Sequence, residues 1–153
     1  MCTSRTAADR PSIGATPMIG AEMERTAVNP VTWSQEMGFN QGEVVSGEAR
    51  TLYISGQTAM NAAGGPEHDG DIAAQLALAV ANLEAVLTAA GMSLANLVRL
   101  NVYTTDVDAL FPHYGVLAGR LGAAGVAPTT TMLGVARLAI PGQMVELEGT
   151  AVA

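Results

Sequence analysis

The segment between Asp71 and Gly91 limits what this chain can fold into more than any other part of it. Ile72, Leu76, Val80, Leu83 and Leu87 recur at steps of three and four, the spacing that gathers side chains on one side of an α-helix. Asp71 stands at the N-cap position, where a carboxylate can accept from a free backbone N–H, and Gly91 stands at the C′ position that ends a helix. Much of the remaining surface is alanine (Ala74, Ala77, Ala81, Ala85), so neighbours can approach on two sides. A helix this apolar has to be covered, and the covering layer must come from the rest of the chain.

The flanking segments read as strands. Residues 42–45 and 51–55 enclose a turn-rich Ser46-Gly47-Glu48-Ala49, a pattern expected of a β-hairpin. Gly56 closes the second of these strands, and residues 61–70, with Gly64, Gly65, Pro66 and Gly70, form a loop. Val98, Leu100 and Val102 alternate with Arg99, Asn101 and Tyr103, as in a half-buried strand. A second helix is expected over about residues 110–122, where Leu117 and Leu121 lie four apart. Pro128 precedes a strand over 129–136, and Pro141-Gly142 turns the chain into a last strand. There Val145, Leu147 and Gly149 alternate with Glu146, Glu148 and Thr150. The order ββαβαββ predicts an α+β domain, a mixed sheet with two helices packed on one face. Residues 1–26 lack either period and read as a flexible N-terminal tail, leaving 27–153 as one domain.

Composition bears on the other face of that sheet. Hydrophobic residues make up 49% of the 153-residue chain and charged residues only 14%. So little charge cannot coat both sides of a small domain, which predicts that other subunits cover part of it. The net charge of -7, with seven basic residues that are all arginine and widely spaced, argues against a nucleic-acid partner. A single cysteine, Cys2, excludes an internal disulfide. Gln75, Asn82 and Glu84 interrupt the most apolar run, and no apolar stretch follows Arg5 and Arg10 as in a signal peptide. No membrane partner and a cytoplasmic location are the expectations.

Candidate chemistry is sparse. His68 and His113 are the two histidines, too few and too far apart to suggest a metal site. Phosphate-binding, dinucleotide-binding and nucleophile-elbow motifs are lacking from the sequence. Glu146 and Glu148, two apart on one strand, project from the same face. Either they face solvent at a sheet edge, or one lies in a covered cleft and transfers protons or positions water.

Several blocks resemble one family. Leu52-Tyr53-Ile54-Ser55-Gly56-Gln57, Gly70-Asp71-Ile72-Ala73-Ala74-Gln75, Asn82-Leu83 and Ala89-Ala90-Gly91 occur in the order found in the Rid family (YjgF-type reactive-intermediate deaminases). Val102-Tyr103-Thr104-Thr105-Asp106, Pro128, Val135-Ala136-Arg137-Leu138 and Val145-Glu146-Leu147-Glu148 continue it. The resemblance implies a chorismate-mutase-like fold and a homotrimer with a small-molecule cleft between each pair of subunits. In the deaminating branch such clefts hydrolyse enamines or imines without a metal or organic cofactor. It also implies site residues. The family arginine two residues past the proline falls on Thr130, the cysteine two beyond it on Met132, and the N-terminal tyrosine on Phe39. The second-helix asparagine falls near Tyr114 or Gly115, while Ser55, Gly56 and the water-orienting glutamate, Glu146, are kept. Losing a charged partner for a substrate carboxylate costs about 1.5–3 kcal/mol of binding, roughly ten- to a hundredfold in affinity. The chain is therefore expected to be a poor amino-acid imine deaminase, either hydrolysing a different small carbonyl-type compound or binding one without turnover. Arg137 lies an odd number of residues past Thr130, which would point it to the other strand face. A ribonuclease role, also ascribed to relatives, is disfavoured by the negative charge.

Overall fold

Helix α2 (Ile72–Ala89) forms where the sequence places it, and both of its ends are as read. Asp71 Oδ1 accepts from the backbone N–H of Ala74 at 3.0 Å, and Gly91 takes a φ of +71° that side-chain-bearing residues avoid. In this computed structural model, which describes residues 22–153, Leu76, Leu83 and Leu87 of α2 are fully buried. They pack on a four-stranded mixed sheet of order β3-β6-β4-β5, built from β3 (Thr51–Gln57), β4 (Leu97–Thr104), β5 (Thr129–Gly134) and β6 (Val145–Val152). Strand β6 is antiparallel to both β3 and β4, whereas β4 and β5 run parallel. By length and composition alone α2 could cross a membrane, but the core of this domain is built on it.

Leu100 and Val102 of β4 and Val145, Leu147 and Ala151 of β6 face α2 and are buried. Arg99, Asn101, Tyr103, Glu146, Glu148 and Thr150 alternate with them and share the opposite face. Tyr53 of β3 is 80% exposed, so this second face is open in the single chain. Buried polar groups are tied down. Gln75 donates through Nε2 to the carbonyls of His68 and Gly142, both at 2.9 Å, and accepts from Met144 N at 2.7 Å. One α2 side chain thereby fixes the loop before the helix to the turn before β6.

The structure corrects the N-terminal part of the reading. A strand, β1 (Glu24–Val28), precedes the seven expected elements and pairs antiparallel with β2 (Gly42–Ser46), from Glu24↔Ser46 to Val28↔Gly42. Residues 24–26 of the expected tail are therefore strand, while residues 1–21 lie outside the described residues. The expected β2–β3 hairpin is not formed, because β3 pairs with β6. The turn after β2 is drawn to the C-terminus instead, where Ala49 N and Arg50 N both donate to Ala153 O, at 3.0 and 2.8 Å. Arg25 fastens the β1–β2 ribbon to the start of β4. Its guanidinium meets the Glu43 carboxylate at 2.5 Å and donates to the carbonyls of Ala95 and Leu97 at 2.5 and 2.6 Å.

Two further differences have local causes. The second helix is split into α3 (Val107–Leu110), a 3₁₀ turn (Phe111–His113) and α4 (Gly115–Ala123). Pro112 lies in the 3₁₀ turn, and a proline cannot donate to a continuous helical ladder. Strand β5 stops at Gly134, so Arg137 belongs to the loop that follows, and its facing cannot be inferred from strand alternation. That loop lines a cavity with Asp69, Thr105 and Gln143. A short helix, α1 (Trp33–Glu36), connects β1 to β2.

Candidate functional site

Strand alternation divides the sequence-predicted residues into two groups. Thr130 and Met132 of β5 stand in register with Leu100 and Val102 of β4, whose side chains face α2. They therefore lie on the helix-covered side of the sheet. Phe39 and Tyr114 join them around a cavity of about 200 Å³, together with Met37 and Phe111.

Each wall of this cavity has a local origin. Gly38, with φ +82°, reverses the chain after α1, and Phe39 N then donates to Ser34 O at 3.1 Å. Asn40 N reaches Ala127 O at 3.1 Å, which holds this connection against the entry to β5. Trp33 meets the Phe39 ring edge-on, with centroids 5.7 Å apart and planes at 78°. On the other side Phe111 and Tyr114 lie three residues apart across the 3₁₀ turn, with nearly parallel rings 6.3 Å apart. Burial raises the pKa of the Tyr114 hydroxyl, and burial alone does so. Thr130 Oγ1 donates to Pro128 O at 2.9 Å, so its proton is already committed. None of the six lining residues carries a charge.

The second group lies on β3 and β6. Ile54 pairs with Gly149 and Gln57 with Leu147, so Ser55 and Gly56 together oppose the single residue Glu148. This is a β-bulge, a device that bends a strand and re-aims its neighbours. Glu146 lies over Gly56. A Cβ built there would stand 2.6 Å from Glu146 Cδ and 2.9 Å from Cγ, so the whole carboxylate arm would have to swing away. Glycine at 56 is thus what admits Glu146.

Hydrogen bonding separates the two glutamates. Glu148 Oε1 accepts from Tyr103 Oη at 2.6 Å and from Asn101 Nδ2 at 2.7 Å. The Tyr103 bond first and then the Asn101 bond hold its carboxyl below the ordinary value, against an opposing effect of burial, with the nearby Arg99 charge the smallest contribution. The same bond to Glu148 raises the pKa of the Tyr103 hydroxyl. Glu148 is therefore occupied and weakly basic, whereas no side-chain hydrogen bond to Glu146 is found among the described residues. Among the described residues no group of three or more His, Cys, Asp and Glu side chains is placed to hold a metal ion.

Glu146 pairs with Tyr103 on the open face, whereas Thr130 faces α2. The chain brings Phe39, Tyr114 and Met132 to Thr130, and Ser55 and Gly56 to Glu146, but it does not bring the two groups together.

The endoribonuclease L-PSP family model matches residues 33–153, a span that contains both groups. The chain belongs to the Rid/YjgF family. Protein mmf2, mitochondrial, of Schizosaccharomyces pombe is 31% identical over 126 residues, covering 82% of this chain and 96% of that protein. The 2-iminobutanoate/2-iminopropanoate deaminase of Bos taurus is 37% identical over 59 residues, 39% of this chain and 43% of that enzyme. Among solved structures, the Rid-family protein of unknown function YyfB from Yersinia pestis superposes with a TM-score of 0.72 at 34% identity. That match covers 84% of this chain and 98% of YyfB, so the Rid fold extends over nearly the whole described domain. Met37 and Phe111 of this Rid chain were not among the residues singled out from sequence. The helical spacing of Phe111 and Tyr114 is the one signal that could have found the second of them.

Proposed function

We propose that this Rid protein acts as a homotrimer whose clefts join the apolar pocket of one subunit to Ser55, Gly56 and Glu146 of the next. The observation that carries this reading is the division of the site between opposite faces of the sheet, with the Glu146 face open in the single chain. Two half-sites of complementary content, one apolar and one acidic, are completed by a neighbouring copy. In the cleft Glu146 accepts a proton from a water as its oxygen bonds to the carbon of a small imine, and the C=N pair moves to nitrogen. Proton return to that nitrogen gives the carbinolamine, and transfer of its hydroxyl proton through Glu146 to nitrogen as the C–N bond breaks expels ammonia and leaves a carbonyl compound. The backbone around Ser55 and Gly56 holds the reacting group, and no cofactor is required. The deaminase name of the bovine relative supports this class of substrate. Amino-acid-derived imines are poor substrates, because Thr130 offers their carboxylate no charge.

Semicarbazone trapping of the carbonyl product tests the chemistry. Neutral imines are expected to be hydrolysed faster than in buffer, and Glu146→Gln is expected to lose about a hundredfold or more of that rate. An unchanged rate in the variant overturns the role of Glu146. The uncharged pocket also supports a second reading, a binding trimer without turnover. A ligand that stabilises the wild type and Glu146→Gln equally and is recovered intact selects that reading.

A further inference from the structure

The apolar half-site specifies its ligand more narrowly than the family relationship does, provided that this cleft is the ligand site as proposed above. Its volume of about 200 Å³ is small. A cavity of about 150 Å³ lined by aliphatic and aromatic side chains accommodates benzene. The present pocket therefore takes one six-membered ring with two or three further heavy atoms. The wall chemistry selects among groups of that size. Phe39, Phe111 and Tyr114 present ring faces or edges, and Met37 and Met132 present polarisable thioethers, which favour an aromatic ring over an aliphatic group. With no charge on any lining residue, a carboxylate entering the pocket would lose its hydration without gaining an ionic partner.

One uncommitted side-chain donor is left to orient such a ring. Thr130 Oγ1 is bonded to Pro128 O, and Phe39 has no hydroxyl. Tyr114 lines the pocket, its hydroxyl is partly buried, and no hydrogen bond to that hydroxyl is found among the described residues. A ligand that places a carbonyl oxygen or imine nitrogen beside it supplies the missing acceptor. We infer that this pocket binds a neutral single-ring compound whose acceptor atom takes a hydrogen bond from Tyr114.

The chain carries its own reporter. Trp33 is the sole tryptophan and packs on Phe39 at 5.7 Å, so filling the pocket changes its fluorescence. Benzamide, benzoate and toluene are titrated into the full chain by Trp33 fluorescence and calorimetry. Benzamide is expected to bind at least about tenfold more tightly than benzoate. Tyr114→Phe should weaken benzamide about fivefold while leaving toluene unchanged. Thr130→Arg, which restores a cation, should reverse the order so that benzoate binds more tightly. Benzoate binding as well as benzamide to the wild type overturns the inference, as does an unaltered benzamide affinity in Tyr114→Phe or no binding of either ring. Imine hydrolysis is followed separately. Hydrolysis together with a preference for benzoate would keep the cleft reading and remove the ring class. Benzamide binding as described without hydrolysis would keep the ring class and remove the hydrolytic role.

Discussion

Gln75 shows how one buried side chain can tie two loops together. Its amide serves two carbonyls and one N–H from the loop before α2 and the turn before β6. Gln75→Leu keeps the volume but strands these groups in a buried setting, and should cost about 2–4 kcal/mol in chemical denaturation. A cost near zero would mean that water replaces the amide. Glu148 makes a prediction about pH. Its carboxyl is held down in the folded state, first by Tyr103 and then by Asn101. The stability it contributes is present above its unfolded value and is lost as pH falls through the lower folded value. Denaturation midpoints of wild type and Glu148→Gln should therefore differ near neutrality and converge on acidification. Tyr103→Phe removes the largest cause, so the Glu148 titration followed by NMR should move upward. A midpoint difference that persists at the acid end would show that Glu148 acts by packing and not by charge. Glu146 was identified from the family resemblance, but what separates it from Glu148 is that Glu148 is already engaged by donors on β4. Cross-strand partners depend on register, which spacing within one strand does not reveal.

At the scale of elements, legibility followed periodicity. Helix α2 and strands β4 and β6 bury one face each, so their apolar residues recur at the helical or strand period and could be read directly. Strand β1 has no such imprint, because all but one of its five residues are exposed. What holds it is side-chain chemistry. Arg25 and Glu43 form a pair whose side chains are 20% and 6% exposed, and the same guanidinium reaches carbonyls at the start of β4. Arg25→Ala should leave that carboxylate without its partner and free both carbonyls, costing about 2–3 kcal/mol. The loss should appear first as faster hydrogen exchange at β1 and β2, with the amides of β4 and β6 still protected. Exchange rising equally over the whole domain would show that the ribbon and sheet unfold as one unit. The pocket walls escaped sequence reading for a related reason. Met37 and Phe39 come from a turn and Phe111 from a 3₁₀ segment, where no period marks which side chains point inward. Their role emerges only when β5 brings Thr130 and Met132 between them.

The whole molecule adds what neither scale contains, candidate site residues divided between two faces of one sheet. The low charged content predicted a covered face, and the structure leaves the face bearing Glu146 and Glu148 open. A mass in solution of three times the 15.6 kDa chain would agree with a trimer, but mass alone does not show that clefts are shared. Mixing two inactive variants does. Glu146→Gln destroys the acidic half and leaves the pocket intact, while Met132→Trp fills the pocket and leaves Glu146 in place. If each cleft takes one half from each of two neighbours, unfolding and refolding an equal mixture places an intact pocket beside an intact glutamate in about one cleft in four. Activity should then return to about a quarter of the wild-type value, and the same proteins mixed without subunit exchange should stay inactive. If both halves act within one chain, every cleft in the mixture carries a defect and no activity returns.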